Sequence, residues 1–246
     1  MAESDPSFAQ AGDDVAWAGR LADQPAGPFD IAFDFVGAWT SPLQAAFLSA
    51  AHLIESVVVG DLPDILVPAY GGVPGGVVDD LVIQAELPAI DGAGGVLGES
   101  GPVLIRADGL LPATASMRFD VADAVALQAD GSWGDVVLHE MLHAMGFGTL
   151  WAMKGLAAPT GAGGNTGAAG MAEYAATGGS GPVPVETGGG PGTAGEHWSE
   201  AVFGDELMTG WIGGQTHLSL LTIASLADLG YVLAPREQWA ADAALA

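Results

Sequence analysis

The sequence predicts an α+β protein with a layered first part and a loop-rich later part closed by a helix. Three observations predict it. Strand-like and helix-like segments alternate through the first 150 residues, as they do in an α/β or α+β layer. Fourteen of the 41 residues from 155 to 195 are glycine. Beyond them, residues 216–229 repeat apolar side chains at helical spacing.

Taken in order, residues 29–35 (FDIAFDF) alternate apolar and polar side chains, the period of a half-buried strand. Ser41-Pro42 marks a helix start, with Ser41 as cap and Pro42 in the first turn, where proline loses no hydrogen bond. Apolar residues then recur on a helical period from Leu43 to Val58, and Gly60, Asp61 and Pro63 stop the run. Residues 77–87 (VVDDLVIQAEL) read as a second strand and residues 90–100 (IDGAGGVLGES) as a glycine-rich turn region. Short strands follow at 103–106 and 116–120, then a short helix at 121–128 and a longer one at 133–145. The segment 155–195 has few large apolar side chains, so it reads as a surface loop or flap. The stretch 216–229 (THLSLLTIASLADL) is an amphipathic helix with Thr216 as cap and Gly230 as stop. The expected division is an N-terminal extension (1–28), an N-terminal subdomain (29–148), a C-terminal subdomain (149–235) and a tail (236–246).

Charge and composition narrow the function. Five Lys and Arg stand against thirty Asp and Glu, a formal net charge of −25. Such a chain repels phosphate backbones and anionic lipid, so neither nucleic acid nor a membrane surface is an expected partner. The acid excess suits divalent cations. Asp79, Asp80 and the Asp91-Gly92 turn are candidate Ca2+ ligands, although the spacing of a calcium-binding hand is absent and solvated turn carboxylates are the simpler reading. The chain has no cysteine, which excludes disulfides, thiolate metal sites and a cysteine nucleophile. No run of about 18 apolar residues offers a membrane span. No basic-then-apolar start marks a cleaved signal peptide.

The chemistry lies in His139-Glu140-Met141-Leu142-His143. On a helix, residues four apart share a face, so both imidazoles can reach one metal ion. Glu140 is offset by about 100° around the helix. That removes it from the direct ligands and leaves it beside the water a metal would activate, as a general base. Two imidazoles plus one more protein ligand suit zinc. Three histidines remain. His52 sits in a helix as an ordinary polar residue, and His217 lies in the first turn of the last helix. His197 follows the glycine-rich segment and precedes Met208. Glu196, Glu200 and Glu206 flank it, and Glu200 or Glu206 could take the third position instead. The motif resembles that of metzincin zinc peptidases, in which a glycine at the place of Gly146 turns the chain out of the helix and a third histidine comes three residues later, where this chain has Thr149.

HEMLHAMGFG at 139–148, the insertion 155–195, His197-Trp198 and Glu206-Leu207-Met208-Thr209-Gly210 together resemble the leishmanolysin family of metzincins. The resemblance covers about residues 29–233 and is most specific at 139–149 and 197–210. The cysteines of eukaryotic members are missing, so the chain resembles a cysteine-free bacterial relative. It implies a metzincin-like zincin: a twisted, mostly parallel sheet with helices in the N-terminal subdomain, and a C-terminal subdomain closed by a helix. It also implies zinc on His139, His143 and His197, Glu140 as general base, and Met208 as a packing floor beneath the metal. Trp211 follows where other metzincins carry a tyrosine, so no tyrosine switch is assigned. The expected activity is that of a secreted-type, monomeric zinc endopeptidase acting on protein or peptide substrates. Strand 103–106 or 116–120 would align the substrate. The non-enzymatic alternative is a calcium-binding or adhesive module with a degenerate site.

Overall fold

The computed structural model describes residues 27–68, 75–157, 163–211 and 216–242. The fold is mixed α/β with a mostly parallel four-stranded sheet. Its strands are β1 (Ile31–Val36), β4 (Leu81–Glu86), β6 (Pro112–Phe119) and β5 (Gly98–Ile105), in that spatial order. The first three run parallel and β5 lies antiparallel at the edge. The central strands β4 and β6 are buried along most of their length, as expected of parallel strands covered on both faces. A separate two-stranded antiparallel sheet pairs β2 (Ile65–Val67) with β3 (Gly76–Val78).

Helices α1 (Ser41–Val57), α2 (Val121–Asp130) and α3 (Trp133–Ala144) pack with this sheet. Phe47 of α1 joins the layers. Its ring meets Phe33 of β1 edge-on at 5.5 Å, Phe119 of β6 at 5.7 Å and Trp133 of α3 at 6.2 Å. The Trp133 indole N–H donates to the Leu43 carbonyl at 3.0 Å, which fixes the start of α3 against α1. One apolar cluster runs from Phe29 through these elements to Trp239.

Several sequence expectations change. Residue 40, not 41, takes the cap position of α1. The strand expected at 77–87 breaks at Asp79-Asp80. There the buried Asp80 carboxylate accepts the Asp30 and Leu62 amides at 2.8 and 2.7 Å, and the Arg106 guanidinium takes the Asp79 and Asp80 carbonyls. The turn region expected at 90–100 ends at Leu97, because Gly98 onward pairs with β6.

The described part of the glycine-rich segment, residues 155–157 and 163–195, contributes core. Val183 and Asn165 are fully buried, and α4 (Ala168–Ala176) packs on α6 (Leu220–Leu229). Gly167 offers no capping side chain, so Asp228 of α6 accepts the Ala169 and Gly170 amides at 2.9 and 2.8 Å. The last long helix begins at Leu220 with Ser219 as its cap, its hydroxyl accepting from the Thr222 amide. Thr216 instead bonds Asp135. Residues 236–242, expected as tail, form α7 (Arg236–Asp242), with Trp239 buried. With the short α5 (Glu200–Phe203), seven helices are present among the described residues. None of them is long and apolar enough to cross a membrane.

Candidate metal centre

Helix α3 is buried over ten of its twelve residues, from Val136 to Ala144 and at Trp133. Val136, Val137, Met141 and Leu142 anchor it in the core, which leaves His139, Glu140 and His143 fixed in position. Its end is built by Gly146, at φ +105°. The Gly146 amide donates to the His143 carbonyl and the Phe147 amide to the Leu142 carbonyl, the paired bonds of a Schellman turn. That turn presents the Phe147 carbonyl to His143 Nδ1 at 2.9 Å.

His139 Nδ1 meets the Leu207 carbonyl at 2.7 Å and His197 Nδ1 the Thr193 carbonyl at 3.1 Å. A carbonyl only accepts, so each Nδ1 carries the proton. Burial pushes all three imidazoles below their ordinary pKa, His139 to about 3, so the rings are neutral. A neutral imidazole has one N–H, and here it is spent on Nδ1. The three Nε2 atoms therefore face one another with bare lone pairs, 3.0, 3.1 and 3.0 Å apart. Without a cation, such lone pairs repel. Nitrogens on one tetrahedral zinc stand about 3.3–3.4 Å apart, so the donor set fits zinc after a shift of a few tenths of an ångström. Among the described residues this is one of two groups whose ligand atoms lie within 4.8 Å of one another.

The third imidazole reaches the helix through ladder-like contacts. The Glu186 amide donates to the His197 carbonyl at 2.8 Å, and the Trp198 amide to the Met208 carbonyl at 2.9 Å. Met208 is fully buried in the turn whose preceding residue, Leu207, orients His139. Glu206 does not join the histidines. Its buried carboxylate accepts from the Met208 amide, the Ser219 hydroxyl and the Thr222 hydroxyl, which ties the turn to α6. Glu200 opens α5, and its amide donates to the Glu186 carboxylate at 3.2 Å. His52 and His217 are exposed and apart from the group. Thr149 donates its hydroxyl to the His143 carbonyl.

The second group is Asp30, Asp79 and Asp80. Asp91, expected beside Asp79 and Asp80 as a calcium ligand, is not in it and accepts the Val96 amide at 3.1 Å. Arg106 lies against the carbonyls of Asp79 and Asp80, placing a fixed positive charge there. Nothing here supports calcium at these residues. Burial raises the Asp80 carboxyl to about 7.

Beside the three histidines opens a cleft of about 580 Å³. Residues 94–100 form one rim, and Pro191 to Thr193, Glu196 and Trp211 also line the cleft. The first rim is the edge strand β5 and its lead-in. β6 is paired on both sides, which removes 116–120 as an edge for substrate. Glu140 borders the cleft. Burial pushes its carboxyl up to about 7, with the Ser100 hydroxyl pulling it down and Glu99 adding to the rise. The Ser100 hydroxyl also donates to the Glu140 backbone carbonyl at 2.6 Å. A Cβ at Gly98 would meet Phe119 at 2.9 Å and Glu140 Cγ at 3.1 Å, so glycine lets the strand pass close to the Glu140 side chain. Sequence reasoning missed Gly98, Ser100 and the orienting carbonyls of Phe147, Thr193 and Leu207. Backbone carbonyls leave no residue-type signal.

The leishmanolysin family model matches residues 179–238. The match holds His197, the Met208 turn and α6, and lies wholly C-terminal to α3. It supports a leishmanolysin-like assignment and implies a peptidase, hence a hydrolase. No curated protein matches the chain.

Proposed function

We propose that this leishmanolysin-like chain is a metzincin-type zinc endopeptidase, with His139, His143 and His197 as zinc ligands and Glu140 as general base. The observation that carries the reading is the triangle of bare Nε2 atoms, each imidazole held by its other nitrogen, in the lining of a cleft of about 580 Å³. Bound there, zinc would polarise a scissile carbonyl and acidify a water.

The chain's own residues supply the rest. The carbonyls of Leu207, Phe147 and Thr193 fix ring orientation and tautomer, which raises ligand basicity. The Glu140 carboxylate takes a proton from the attacking water at its side-chain oxygen and passes it to the leaving amine. Its raised pKa makes it a better base than an exposed glutamate. The outer edge of β5 aligns an extended substrate by adding it to the sheet. Met208 packs in the floor without binding metal.

The test is Glu140→Gln. It should bind zinc as the unaltered chain does and lose casein-digesting activity by about 10²–10⁴-fold. Full activity in that variant overturns the mechanism.

A further inference from the structure

Gly148 lies two residues beyond the glycine that ends α3, at φ +71°. A Cβ there would sit 2.2 Å from the Glu196 carbonyl oxygen and 2.9 Å from Glu196 C and Cα. The crowded atoms are backbone and cannot swing aside like a side-chain tip. Glu196 immediately precedes His197. On the other flank, the Phe147 ring meets Trp198 edge-on, at 5.0 Å and 89°. Residues 147 and 148 therefore hold the chain on both sides of His197, while the Phe147 carbonyl holds His143.

We propose that Gly148 is a positioning residue for the third imidazole, an inference that rests on the three-histidine metal reading. Its missing side chain lets the Glu196 backbone cross the exit of α3 closely enough for His197 Nε2 to come within 3.0 Å of His139 and His143. Real Cβ atoms essentially never approach closer than 3.0 Å. Any side chain at 148 must therefore widen the gap between the 147–149 turn and the 195–197 segment by several tenths of an ångström or more, beyond the ~0.2 Å within which metal–ligand distances hold. Strain alone does not account for the position. Gly131, at φ +93° beyond α2, has a similar backbone with open space around it.

The experiment measures zinc affinity of the full chain by chelator competition, together with the melting temperature of the metal-free protein. Gly148→Ala should weaken zinc binding at least ~10-fold, and Gly148→Asn, which tolerates a left-handed backbone but carries the same Cβ, should do likewise. Gly131→Ala should lower the melting temperature and leave zinc affinity unchanged. In a His197→Ala background, Gly148→Ala should weaken the remaining site no further. Unimpaired binding in both Gly148 variants overturns the proposal, as does an undiminished loss in the His197→Ala background. Failure of the unaltered chain to bind zinc overturns the metal reading and this proposal with it; failure of the variants to differ from a zinc-binding parent overturns this one alone.

Discussion

Replacing Glu206 with alanine should unfold the protein more easily without removing its metal. The carboxylate is 2% exposed and accepts from the Met208 amide at 2.5 Å, the Ser219 hydroxyl at 2.7 Å and amide at 3.2 Å, and the Thr222 hydroxyl. Ser219 is only half-buried and can turn to water. The Met208 amide and Thr222 hydroxyl are buried and cannot. Each buried donor left unpaired costs about 1–3 kcal/mol. The loss is offset in part because a charge whose pKa burial has raised is no longer held there. A net destabilisation of about 2–4 kcal/mol follows. For a chain of this length that lowers the melting temperature by roughly 4–16 °C. Thermal unfolding by circular dichroism at pH 7 reads the first effect and metal analysis of the folded variant the second. An unchanged melting temperature with zinc lost would make Glu206 a ligand and refute the structural role.

Asp120 carries a pH signature. The amides of Gly92, Ala122, Ile90 and Asp91 bond its carboxylate at 2.7–2.9 Å and hold its pKa at about 2, below the ordinary 3.8. A depressed folded-state pKa gives stability that is present above 3.8 and lost as pH falls through 2. Asp120→Asn should therefore melt below the parent at pH 6, with the gap closing towards pH 2; a gap of constant size would refute the assignment. Calcium at millimolar concentration should leave the melting temperature unchanged, since the Arg106 guanidinium bonds the Asp79 and Asp80 backbone carbonyls and sets a positive charge beside them. A rise of several degrees would reveal a site.

The parts of the fold set by local rules were legible. The buried helix α3, the glycine that ends it and the i, i+4 histidines follow from spacing and from the one residue type that favours φ +105°. The third imidazole was not legible from local pattern alone, because it depends on a crossing of two distant segments. The family resemblance selected His197, and the three Nε2 atoms stand together. Composition misled in the glycine-rich segment. Gly170 there is a packing residue inside a helix, where a Cβ would meet Asp228 at 3.4 Å and Leu221 at 3.6 Å. Likewise 98–100 looked like turn because glycine and serine mark turns, yet its pairing with Phe119 to Met117 makes it the sheet edge. Edge or centre is a property of partners far along the chain. Ser219 displaced Thr216 as a cap for a similar reason, since Thr216 is drawn to Asp135 on another helix.

The central claim is that three imidazoles share one ion. X-ray absorption at the zinc edge, on the chain loaded with one equivalent, measures it directly. The account expects three nitrogen neighbours of imidazole type at about 2.0 Å in the parent and two in His197→Ala. A parent spectrum with two imidazoles and a carboxylate, unaltered by His197→Ala, would contradict it.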